Sequence, residues 1–130
     1  MTGFEAATLY AGLFVLLFLG LKLNAGRSRA GAQVSIGDGG DGGLQKAMRT
    51  QANAAEDVPV VMIGVFALAG LGAPVALIHG LGGGFFVARL LHGLGMAGFP
   101  GLGIGRLIGT LGTLVAMLVT AGACIWLALS

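Results

Sequence analysis

The chain has 130 residues, 56% of them hydrophobic and only 9% charged, and its mean hydropathy is +0.96. So small a polar complement cannot cover a water-soluble globule of this size, which makes it a membrane protein. Seven basic residues against five acidic ones leave a formal net charge of +2, and their scatter along the chain excludes a nucleic-acid patch or a polybasic anchor.

The first span is expected at about residues 4–26. Met1 to Tyr10 carries Glu5 and no Lys or Arg, the wrong sign for the start of a secretory signal, so this helix is expected in the mature protein. The connection Arg27 to Gly43 is polar and contains Gly37-Asp38-Gly39-Gly40-Asp41-Gly42-Gly43. It lacks the Lys-Ser/Thr ending of a P-loop, and its aspartates do not follow calcium-loop spacing, so a flexible linker is expected.

The second span, about 44–71, is the informative one. A crossing helix needs roughly 20 residues, yet only Val58 to Leu71 separates the last acid from the breaker Gly72-Ala73-Pro74. This helix must therefore draw Asn53, Glu56 and Asp57 to hydrocarbon depth and leave Arg49 near the interface. Ionisable groups there cost roughly 2.5 to 3.5 kcal/mol each and are functional candidates by default. The third span, about 74–96, folds back at Gly72 in a tight hairpin. The fourth, about 105–129, follows a short connection holding Gly98-Phe99-Pro100-Gly101. The fold class is thus all-α, a four-helix up-and-down membrane bundle.

Lys22, Arg27, Arg29, Lys46 and Arg49 flank the first connection and Arg106 the third, while the Gly72 hairpin has no basic residue. The positive-inside tendency puts both connections in the cytoplasm and both termini on the other side. Several of the 26 glycines fall at small-xxx-small spacing, as in Gly105-Arg106-Leu107-Ile108-Gly109, which suits close helix packing and self-association as well as a general compositional bias.

At about 100° per residue, Arg49, Asn53 and Glu56 form one polar stripe on the second helix. Arg89 and His92 share a face of the third, continued by Met96. In an up-and-down bundle all these groups lie in the same leaflet, with Arg27, Arg29, Arg49, Arg89 and Arg106 outnumbering Glu56, Asp57 and Asp38. An excess of guanidinium in a partly dehydrated site suits an anionic ligand. The same residues also suit a role as interhelical pairs that lock the bundle. His79, near mid-span, and Cys124, the single cysteine, are expected to be packing residues. Two distant histidines and one cysteine form no metal pattern, and no nucleophile motif supports a Ser-His-Asp site.

The segment Arg49-x-Gln51-x-Asn53-x-x-Glu56-x-x-Pro59 resembles the second-helix signature of the MAPEG proteins, the membrane-associated proteins of eicosanoid and glutathione metabolism. The likeness covers nearly the whole chain, including Arg27-Ser28-Arg29, Gly37-Asp38-Gly39-Gly40, Ala88-Arg89-Leu90-Leu91-His92 and Gly105-Arg106-Leu107-Ile108-Gly109. It implies a homotrimer in a bacterial inner membrane, with glutathione as co-substrate held between subunits near the cytoplasmic side and a lipophilic small-molecule substrate entering from membrane lipid. Carried over by position, Arg49, Asn53 and Glu56 would bind glutathione, assisted by Gln51, Arg89 and His92, with Arg27 from a neighbouring subunit. Arg106 would stabilise the thiolate, and Asp38 matches an acid that some members place near that arginine. A guanidinium beside a thiol lowers its pKa below about 8.5, which fits that role.

Two departures stand out. Met96 occupies the place of a tyrosine found in eicosanoid-forming members, and Asp57 that of a common aromatic, so ring stacking and phenolic bonds to glutathione are missing and an arachidonate-derived substrate is not supported. The expected function is a glutathione-dependent membrane transferase or peroxidase, with a non-catalytic lipid-binding or scaffolding trimer as the alternative, since the family also contains a scaffold. A small transporter lacks the inverted repeat or broken-helix pair it would need.

Overall fold

Thr2 opens the first helix with a reciprocal cap. Its hydroxyl accepts from the Glu5 amide at 3.2 Å while its own amide donates to the Glu5 carboxylate at 2.8 Å, satisfying two donors that helix geometry leaves over. Glu5, the acid near the amino terminus, is thus a capping residue. The computed structural model describes residues 1–130 and contains four helices: α1 (Gly3–Ala32), α2 (Gly42–Gly70), α3 (Val75–Met96) and α4 (Gly105–Leu129). All four are long and apolar enough to cross a membrane.

α1 continues past Gly26, where the span was expected to stop, to Ala32. Of the residues beyond Gly26, Arg27, Arg29, Ala30 and Ala32 are good helix formers, and the end comes only at Gln33, whose left-handed backbone (φ 54°) closes the last turn. The Arg29 guanidinium then donates back to the carbonyls of Gly37, at 2.9 Å, and Val34, at 3.2 Å. The first connection is therefore tied to α1 rather than hanging as an open linker. Asp41 caps α2 by accepting from the Leu44 amide at 2.7 Å. Pro59 lies inside α2 on its exposed side. At the hairpin, Gly72 takes a positive φ of 78°, a turn conformation that costs glycine nothing.

α2 and α3 form the middle of the bundle. α1 packs on both, α4 packs on both, and α1 and α4 do not touch. The core holds Phe14, Val61, Val65, Leu68, Ile78 and Phe85, with the Phe14 and Phe85 rings 5.1 Å apart. Only 26 of 130 residues are buried, and Leu118 and Trp126 are 75% and 74% exposed, as befits a thin bundle whose outer surface is solvated by lipid rather than water. Gly3 lies against Ala69, Tyr10 bonds His79, and Gly64 meets Thr120. These contacts put the start of α1, the end of α2, the start of α3 and the end of α4 together, so all the charged residues except Glu5 gather at the opposite end, beside the first and third connections.

Candidate functional site

The polar residues divide into an outward set and an inward set. Along α2 the buried residues Ala47, Thr50, Ala54, Val58, Val61 and Val65 define one face, and at 100° per residue Arg49 and Glu56 fall on nearly the opposite one, with Asn53 on the flank between, about 100° from the centre of the buried face. Arg49 and Glu56 are exposed and Asn53 half-buried. Gln51 points elsewhere: it lies in the groove between α1 and α2 with Lys22 and Arg29, separated from Asn53 by about 160° of helix rotation. The signature thus contains a stripe of three plus an outlier.

On α3 the pattern is reversed. Arg89 and His92 are 3% and 5% exposed and sit on the same face as Ile78, Leu81 and Phe85. Arg89 donates to the Asp57 carboxylate at 2.9 Å and to the Thr113 hydroxyl at 3.5 Å, joining α3 to α2 and α4. Its Nε, and Nδ1 of His92, have no hydrogen-bond partner within the chain. The sequence offered little to single out Asp57 as a partner for Arg89; a buried arginine in an apolar helix demands a counter-charge, but Glu56 and Asp57 satisfy that demand equally on paper.

Arg106 begins α4 and is exposed, while its backbone nitrogen lies against Gly95 near the end of α3. The buried face of α4 is a row of small residues, Gly105, Gly109, Thr113, Ala116 and Thr120; Thr120 meets Gly64 of α2, and a Cβ at Gly109 would run into the backbone of Ala88 and His92 on α3. Close backbone approach of this kind is how membrane helices associate without a hydrophobic drive. Arg27 is exposed on the last turns of α1. Asp38 is half-buried and accepts from the Gly40 amide at 3.0 Å, a turn-forming bond. Met96 is half-buried at the end of α3, and Tyr10, the lone tyrosine, bonds His79 at the far end of the bundle.

A cavity of about 740 Å³ lies between α1, the start of α2 and the end of α3. It is walled by leucines and has Asn24, Ser28 and Lys46 at its polar end, and none of the stripe residues lines it. Within one chain, then, Arg49, Asn53 and Glu56 share an uncovered flank, Arg89 and His92 are inside the bundle, and Arg27 and Arg106 belong to helices that do not touch.

Four apolar helices with all charges but Glu5 gathered at one end define a multi-pass helical membrane protein carrying ionisable residues within its spans. The model of the MAPEG family matches residues 7–126, and the chain belongs to that family. Inner membrane protein YecN of Escherichia coli strain K12 is 33% identical over 86 residues, which is 66% of this chain and 66% of that protein. The protein of the same name from Escherichia coli O6:H1 strain CFT073 matches to the same extent. The chain thus spans just under two thirds of the length of these curated relatives. No solved structure matches it.

Proposed function

We propose that the protein is a glutathione-dependent transferase or peroxidase of a bacterial inner membrane, acting as a homotrimer. The observation that carries this reading is the uncovered stripe of α2. Arg49, Asn53 and Glu56 lie on a membrane helix, on the side facing away from their own bundle. Lipid tails offer such groups no partner, so a second copy of the chain and a polar ligand between copies supply what one chain lacks. Membership of the MAPEG family supports glutathione as that ligand, and the name of the Escherichia coli relatives supports the inner membrane.

In this reading Arg49 grips a glutathione carboxylate, Asn53 bonds its peptide groups and Glu56 takes its ammonium. Arg27 of a neighbouring copy closes the site with Asp38 at its edge, while Gln51, about 160° round α2 from Asn53, and His92, inside the bundle, lie away from a ligand held by their own chain's stripe. Arg106 stabilises the thiolate, and a lipophilic electrophile arrives from the bilayer. Catalysis consists of that stabilisation plus the juxtaposition of two bound reactants. The first and third connections face the cytoplasm.

Membranes carrying the protein are expected to conjugate a generic aromatic electrophile only when glutathione is added, with Arg106→Ala abolishing the gain while the oligomer persists. Unchanged turnover in that variant removes Arg106 from the mechanism. The scaffold alternative draws on Met96 and on the remote, already bonded Tyr10, which leave no phenol at the site. Isothermal titration without heat, on protein that glutathione does not stabilise against unfolding, decides for it.

A further inference from the structure

Neighbouring acids on α2 take different directions. Glu56 is exposed, while Asp57, about 100° further round the helix, accepts from Arg89 at 2.9 Å. Asp57 sits at the border between the outward stripe and the buried face, so turning α2 about its axis in either direction would part it from Arg89. The second anchor is on α4. Thr113 accepts from Arg89 at 3.5 Å and donates to the carbonyl of Gly109 at 2.8 Å. It comes within reach because Gly105, Gly109 and Gly112 lie bare against Leu91, Ala88 and His92.

We infer that Arg89 is a positioning residue: held by Asp57 and Thr113, it locks α2 against α3 and α4 at the rotation that aims Arg49, Asn53 and Glu56 out of the bundle, and its charge is neutralised inside the chain. The functional half of this inference rests on the glutathione reading; the clamp itself does not. The inference removes Arg89 from the set of ligand-gripping arginines and gives Asp57 the task of fixing the helix that presents the site.

The test uses the full chain in detergent, with Asp57→Leu, Arg89→Met and the two combined. Removing one partner strands the charge of the other, Arg89 being buried and Asp57 a quarter exposed, whereas removing both leaves an apolar contact of similar size. Each single substitution is expected to lower the unfolding temperature by about 5 °C or more, and the double to recover most of the loss. A double variant whose losses simply add overturns the clamp.

Positioning is read by thiol labelling at Asn53→Cys in a Cys124→Ala background. Asp57→Leu is expected to change the labelling rate and the double to restore it; a rate indifferent to both substitutions overturns the positioning claim. For glutathione titration, Asp57→Leu is expected to weaken binding about tenfold, while the double stays close to the unsubstituted protein. Should the double lose as much affinity as Arg89→Met, Arg89 is a ligand and the inference is wrong. If the unsubstituted protein binds no glutathione, the glutathione reading fails alone, and unfolding and labelling still judge the clamp.

Discussion

The Tyr10 hydroxyl and Nδ1 of His79 lie 2.9 Å apart, joining α1 to α3 at the end of the bundle remote from the arginines. Gly82 and Gly83 make room for it: a Cβ at Gly83 would sit 3.1 Å from the tyrosine oxygen, and one at Gly82 would meet the ring itself. Tyr10→Phe is expected to cost about 1 kcal/mol, the net worth of one hydrogen bond. Combined with His79→Leu it should cost less than the sum of the two singles, because both remove the same contact. Thermal unfolding in detergent measures this, and glutathione binding should not change.

The α3–α4 seam predicts a contrast between two glycines. A Cβ at Gly109 would strike the backbone of Ala88 and His92, whereas one at Gly122 meets nothing within 4 Å. Gly109→Ala is therefore expected to destabilise by about 1 to 3 kcal/mol through overpacking. Gly122→Ala should be neutral, or stabilising by up to about 1 kcal/mol from helix propensity. Equal unfolding temperatures for the two variants would contradict the close approach.

Thr113→Val measures how much of the clamp belongs to α4. The Arg89 to Thr113 bond is long, at 3.5 Å, and the hydroxyl also bonds its own helix, so its loss should cost below about 1 kcal/mol. That is less than the expected cost of Asp57→Leu. A larger effect at Thr113 would move the weight of the clamp from α2 to α4.

Arg49→Gln and Glu56→Gln are expected to separate affinity from stability. Both side chains are exposed on the single chain, so bundle unfolding should shift by no more than about 0.5 kcal/mol. In the proposed site each loses a charge-assisted bond to glutathione, which predicts binding weaker by about tenfold or more. Titration and unfolding on the same preparations check both halves.

Much of this architecture was legible in the chain. Hydropathy located four spans and Gly72-Ala73-Pro74 the hairpin, because both depend on local composition. The far end of α1 was not, since glycine and arginine after Gly26 read as a connection while the stop is set by the backbone of Gln33. Helix rotation correctly grouped Arg49, Asn53 and Glu56, and also Arg89 and His92, but periodicity says which residues share a face and not which way that face turns. The stripe turned outward and the Arg89 face inward, a result of packing between helices. Likewise the pairs Asp57 with Arg89 and Tyr10 with His79 join residues far apart in sequence, while the separation of Gln51 from the stripe was already legible, since two residues of helix turn it about 160° from Asn53.

Pro59 interrupts α2 on the side that no other helix of the chain covers. Having no N–H, it deprives the carbonyl of Ala55 of its usual helical donor, and Ala55 is exposed as well. In a layer without water an oxygen so placed stays thirsty. Hydrocarbon tails have no proton to share with it, whereas the Lys22, Arg29 and Gln51 side chains that line the same groove as Ala55 do.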